Sequence, residues 1–95
     1  MGYEKNLKKV TGKKKKKIIL FALSTCIWCM KTKELLNSLG VEYEYIDVDL
    51  LTKTDQEEIS KEFEKMKTNQ SFPKILIDKT LINGFDEESI KKVLK

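Results

Sequence analysis

Two cysteines, Cys26 and Cys29, are the residues of this sequence best suited to covalent chemistry, and they stand three positions apart around Ile27 and Trp28. A bond between them would close a very short loop and restrain little of the unfolded chain, so stabilisation is a poor reason for the spacing. Reactivity is the better reason. A thiolate attacks a disulfide sulfur, and a second thiol within reach releases the mixed disulfide that results. A zinc site wants about four ligands, whereas the chain has two thiols and no histidine. The lack of histidine also removes the usual general base at neutral pH. All nineteen basic residues are lysine, so a guanidinium fork is not available for carboxylates or phosphates.

The surrounding elements must present these thiols. Ile18 to Leu23 is a continuous apolar run and reads as a central strand covered on both faces. Ser24 and Thr25 can cap a helix, and a helix fits from about Ile27 to Leu39 with Thr32, Leu35, Leu36 and Leu39 on one stripe. Cys26 then lies at the helix N-terminus, where free N–H groups and the helix dipole favour an anion. Cys29 follows about one turn later, beneath the first sulfur. Gly40 supplies the left-handed stop. Val41 to Val48 reads as a second strand. Thr54 to Glu57 fits a capping box, opening a helix with Ile59, Phe63 and Met66 on one face. Tyr43, Tyr45, Phe63 and Met66 are expected in the core. Thr68 to Phe72 reads as a loop. Pro73 precedes a strand from Lys74 to Ile77, which forms a hairpin through Asp78 and Lys79 with Thr80 to Ile82. Asp86 caps a last helix carrying Ile90, Val93 and Leu94. The expected fold class is α/β, in the order β-α-β-α-β-β-α: a four-stranded mixed sheet with three helices, its first two strands parallel and its last two antiparallel.

With 95 residues the chain suits one domain. Residues 1–17 hold eight lysines against one glutamate, and the remainder holds eleven lysines against fourteen acids. The basicity therefore belongs to one segment, and we expect a basic, flexible extension over residues 1–16, with a weak strand at Leu7 to Val10, followed by a domain over 17–95. No apolar run approaches the roughly 18 residues of a membrane span. No signal peptide is apparent, so the expected compartment is the cytoplasm. Lys13 to Lys17 reads as a solvated face; no aromatic residue is interleaved there to stack on nucleic acid.

Three segments resemble the thioredoxin superfamily, and its glutaredoxin branch in particular. Ser24-Thr25-Cys26-Ile27-Trp28-Cys29 resembles the active-site segment, Ser71-Phe72-Pro73 the Thr-Val-Pro element, and Ile82-Asn83-Gly84-Phe85-Asp86 the Gly-Gly-x-Asp stretch before the last helix. The resemblance covers residues 17–95 and is closest to archaeal and bacterial glutaredoxin-like proteins, which grade into ribonucleotide-reductase redoxins. It implies a dithiol–disulfide oxidoreductase and electron carrier in cell redox homeostasis, with Cys26 as nucleophile and Cys29 as resolving thiol. It implies that Pro73 is cis and lies against the sulfurs. The Phe72 backbone would pair with a bound peptide or glutathione. Gly84, Phe85 and Asp86 would offer backbone groups to a carboxylate. By residue type Trp28 is a candidate platform for substrate as well as a candidate partly buried helix residue, and Thr25 is a candidate thiol-binding residue with it.

The departures from the pattern narrow the partners. Leu23 stands where glutathione-using members carry a lysine, Gln70 and Ser71 where a basic residue is common, and Asn83 replaces the first glycine. Lys74 offers partial compensation. We therefore expect disulfide-containing protein substrates, a monomer without a tightly bound cofactor, and a protein reductant of the thioredoxin-reductase or ferredoxin-linked type ahead of glutathione. The alternative is a non-enzymatic thiol module, such as an iron–sulfur cluster carrier, although Ile27 and Trp28 add bulk where such sites favour small residues.

Overall fold

The computed structural model describes residues 2–94. It contains five strands, β1 (Lys8–Val10), β2 (Ile18–Ala22), β3 (Tyr43–Asp47), β4 (Lys74–Ile77) and β5 (Thr80–Asn83), and three α-helices, α1 (Ile27–Ser38), α2 (Lys53–Lys65) and α3 (Glu87–Val93). Short 3₁₀ turns occupy Gly2–Asn6 and Val48–Leu50. The strands form one mixed sheet in the order β1-β3-β2-β4-β5. β2 runs parallel to β3 and antiparallel to β4, and β4 pairs with β5 through a tight hairpin. The α/β architecture with three helices agrees with the sequence; the sheet has five strands rather than four. The additional one comes from the basic N-terminal segment, where Lys8, Lys9 and Val10 pair antiparallel with Tyr45, Glu44 and Tyr43. That weak strand finds its partner because β3 would otherwise be an open edge.

The apolar run of β2 is buried along its whole length. Ile18, Leu20 and Ala22 join a cluster beneath α1 and α3 that includes Leu36, Ile75 and Ile90. Ile19 and Phe21 join a second cluster beneath α2 with Ile46, Ile59 and Phe63. Phe21 meets Phe63 edge-on at 5.3 Å and Tyr3 at 5.8 Å, which fixes the N-terminal turn against the core. Tyr43 and Phe63 are buried as expected, and Tyr45 and Met66 pack against the clusters from their margins.

Two boundaries differ from the sequence expectation. Leu39 is the C-cap of α1 and is exposed rather than part of the buried stripe, which Cys29 extends instead. Gly40 then takes the left-handed conformation at φ 67°. Helix α2 begins earlier than Thr54. Thr52 is its N-cap, accepting a hydrogen bond from Asp55 N–H at 3.2 Å. Both threonines have an acid three residues on. The earlier one prevails where Asp55 is buried and accepts from Asn6 Nδ2 at 3.0 Å, a contact between distant parts of the chain.

Candidate active site

β2 ends beneath the turn that leads into α1, and the two cysteines occupy that junction. Cys26 is the N-cap of α1, with Sγ accepting from the Cys29 N–H at 3.2 Å. The sulfur thus takes the place of the oxygen that usually satisfies a free N–H in the first turn. Cys26 is half-buried and Cys29 fully buried, both free thiols. Burial, followed by the hydrogen bond with Cys26, pushes the Cys29 thiol up to about 12, against smaller opposing pulls from a hydrogen bond with the Leu23 backbone and from Lys33. Lys33 lies one turn further along α1, with Nζ 3.1 Å from Asp47 Oδ1 and 4.4 Å from the centre of the Tyr45 ring. One thiol is accessible and aimed at the helix end; the other is held protonated beneath it.

The turn is tied down by the 3₁₀ turn that follows the neighbouring strand β3. Asp49 accepts from the Ser24 N–H at 2.8 Å and from the Ser24 hydroxyl at 2.5 Å, and these bonds hold its carboxyl below the usual carboxylate range. Sequence reading had no signal for Asp49, because its partner is 25 residues away.

A groove of about 220 Å³ is lined by Trp28, Phe72, Pro73, Gly84 and Phe85. The Trp28 and Phe85 rings stack at 5.7 Å and form one wall. Trp28 remains more than half exposed, with Lys31 Nζ 5.8 Å from the centre of its ring. The Phe72–Pro73 peptide bond is cis, and the Gly84 N–H donates to the Pro73 carbonyl at 2.8 Å. Phe72 and Phe85 also pack, like Cys26, against the cluster that holds Cys29. Thr25 and Asp86 lie outside the groove lining. Thr25 is exposed in the turn before Cys26. Asp86 caps α3, its carboxylate accepting from the Ser89 N–H at 3.1 Å and the Ser89 hydroxyl at 2.8 Å, bonds that lower its pKa.

Lys74 corrects a sequence expectation. Its ammonium is not offered to a ligand carboxylate but is fully buried. Nζ donates to Asn69 Oδ1 at 2.7 Å and Asn83 Oδ1 at 2.6 Å, with Ser71 Oγ at 3.5 Å. The Phe63 ring lies 5.1 Å away. Lys74 shares a face of β4 with Leu76, which packs on the cluster beneath α2. Among the described residues, no group of three His, Cys, Asp or Glu side chains is placed to hold a metal ion, and no helix is long and apolar enough to cross a membrane.

Comparison with known proteins agrees with this geometry. The glutaredoxin family model matches residues 18–82. Glutaredoxin 1 of Rickettsia prowazekii is 39% identical over 70 residues, 74% of this chain and 70% of its own length. The structure of methanoredoxin from Methanosarcina acetivorans superposes with a TM-score of 0.85 at 38% identity, covering 92% of this chain and 94% of that one. The glutaredoxin from Methanosarcina mazei gives 0.81 at 38% identity, covering 94% and 87%. A thioredoxin-like fold carrying an accessible thiol at a helix start defines the class, and the chain belongs to the glutaredoxin family, whose members are generally thiol–disulfide oxidoreductases.

Proposed function

We propose that the protein reduces disulfides of other proteins through Cys26 and Cys29. The observation that carries the reading is the division of the two thiols, Cys26 half-exposed and receiving an N–H hydrogen bond, Cys29 buried beneath it. The Cys26 thiolate attacks one sulfur of the target disulfide. The target S–S bond breaks, a Cys26–target mixed disulfide forms, and the departing target sulfur takes a proton. Cys29 then gives up its proton and attacks Cys26 Sγ. The mixed disulfide breaks, the second target sulfur is protonated, and Cys26–Cys29 becomes the disulfide. The target gains two electrons and two protons, which the dithiol has lost. The Cys29 thiol, raised to about 12, is a poor nucleophile while protonated. It therefore resolves the mixed disulfide after a target is tethered to Cys26 rather than attacking the target first.

Regeneration requires an external dithiol or thiol reductant. No lysine or arginine is among the residues lining the groove, Lys31 placing its Nζ 5.8 Å from the centre of the Trp28 ring instead, and the buried ammonium of Lys74 is committed to asparagine and serine oxygens. These features favour a protein reductant, of the flavoprotein or ferredoxin-linked class, over glutathione, whose two carboxylates want cations. A reducing compartment such as the cytoplasm suits a carrier that rests as the dithiol. The test supplies the oxidised protein with each reductant in turn, coupled to a protein disulfide substrate. The reading predicts turnover with a protein reductant that is lost in Cys26→Ser. Full activity in Cys26→Ser contradicts the mechanism, and turnover with glutathione as the better donor contradicts the choice of reductant.

A further inference from the structure

Lys74 is a buried ammonium with no carboxylate partner among the described residues. All three of its hydrogen-bond partners are neutral side-chain oxygens. Lysine is almost never fully buried unless paired, and removing an ammonium from water without a counter-charge is unfavourable. Met at this position would fill similar space without that penalty. The oxygens that receive Lys74 come from two separate segments. Asn69 and Ser71 belong to the loop that ends in Phe72 and Pro73, and Asn83 immediately precedes Gly84 and Phe85. Phe72 and Pro73 from the first segment and Gly84 and Phe85 from the second all line the groove, and the Gly84 N–H joins the two by donating to the Pro73 carbonyl at 2.8 Å.

The asparagine orientations follow from chemistry. An ammonium has only donors, so both amides must turn their oxygens inward to meet it. Asn69 Oδ1 also accepts from the Ser71 N–H at 3.1 Å and the Ser71 hydroxyl at 2.6 Å. Asn83 Oδ1 also accepts from the Thr68 hydroxyl at 3.1 Å. Each amide oxygen is thus a node that fixes its own segment, and Lys74 Nζ is the donor common to both nodes. Strand pairing places it there, since Lys74 lies opposite Asn83 in the β4–β5 ladder.

We propose that Lys74 is a positioning residue for disulfide reduction, its ammonium clamping the 69–72 and 83–85 segments at the spacing that receives the substrate chain. It touches neither substrate nor sulfur. The charge is kept because a neutral side chain cannot hold two amide oxygens at once with bonds of charge-assisted strength. This inference rests on the disulfide-reducing reading above, and the experiment separates the two.

The test compares the full-length protein with Lys74→Met, and with Lys79→Met, an exposed lysine of the β4–β5 turn, as control. Three quantities are read: the rate of Cys26 alkylation by iodoacetamide, the single-turnover reduction of a peptide disulfide over a concentration series, and the thermal midpoint. Lys74→Met is expected to keep the alkylation rate and the saturating reduction rate within about twofold, to hold or raise the midpoint, and to raise the half-saturating peptide concentration about tenfold. Lys79→Met leaves all three unchanged. A lysine with only a structural role gives the reverse pattern, a lower midpoint with unchanged half-saturation, and overturns the proposal. If Lys74→Met does not fold, the surface pair Asn69→Ala and Asn83→Ala carries the test: each raises half-saturation, and the double variant raises it no further than the larger single effect, because one clamp is broken either way. Additive or absent effects overturn it. Should the wild type reduce no peptide disulfide, the functional reading fails, while amide hydrogen exchange still decides the clamp: Lys74→Met must speed exchange in residues 69–72 and 83–85 together, and unchanged exchange overturns it.

Discussion

The two faces of the sheet each bury one titratable group near the same groove, and they do so by opposite means. Beneath α1 and α3 the group is the Cys29 thiol, set in a predominantly apolar cluster. Beneath α2 it is the Lys74 ammonium, set against the Phe63 ring and supplied with amide and hydroxyl oxygens. Desolvation is the leading influence on both, raising the thiol and lowering the ammonium. The thiol is neutral when protonated, so an apolar chamber suits it and keeps it in reserve. The ammonium is charged when protonated, so the same chamber would expel it without the asparagines. A single physical effect thus yields a latent nucleophile on one face and a scaffold-holding charge on the other.

The largest effect tests what the thiol chamber serves. Cys26→Ser removes the group that tethers the target above Cys29, and disulfide reduction should fall by at least about a thousandfold in a steady-state assay. Truncating the walls comes next. Phe63→Ala should lower the unfolding free energy by about 3–5 kcal/mol and Leu36→Ala by about 2–5 kcal/mol in urea titrations. The comparison sharpens if Phe63→Ala also weakens peptide binding while Leu36→Ala, at equal loss of stability, does not.

Stability against pH should separate the faces by sign. Cys29 binds its proton more tightly folded than unfolded, so it contributes a loss of stability as pH rises from its ordinary value of 9.0 toward about 12. Lys74 binds its proton less tightly folded, so it contributes a gain as pH rises from its lowered folded value toward the ordinary 10.5. Urea midpoints measured from pH 7 to pH 10 for wild type and Lys74→Met should therefore diverge in favour of wild type as pH rises. Parallel curves would break the comparison. The smallest effect is a control away from both chambers: Thr52→Ala removes the α2 cap and should lower stability by about 1 kcal/mol without altering the Cys26 alkylation rate.

Much of the site follows from local signals. The Cys-Ile-Trp-Cys spacing after a buried strand, the left-handed stop at Gly40, the Asp78-Lys79 turn and the Asp86 cap each depend on neighbours a few residues away, and each is where the sequence places it. The departures all involve distant partners. The strand expected near Leu7 to Val10 is present as Lys8–Val10, but its place in the sheet, as a fifth strand on Tyr43–Tyr45, depends on a partner far along the chain. At the start of α2 Asp55 is also held by Asn6, 49 residues away. Lys74 reads as a surface cation by type. Its burial depends on Asn69 and Asn83, which are brought together only when β4 pairs with β5 and the preceding loop folds back. Residue chemistry thus announced the reactive sulfurs, whereas the support around them is a property of the assembled sheet.

The central claim is that Cys26 attacks and Cys29 resolves. The most direct measurement incubates reduced Cys29→Ser with a peptide disulfide and maps the products by mass spectrometry without added reductant. The account predicts a stable adduct of one protein to one half-peptide, joined through Cys26 and released by dithiothreitol. Failure to accumulate an adduct, while this variant reduces the peptide as fast as the wild type, would contradict it.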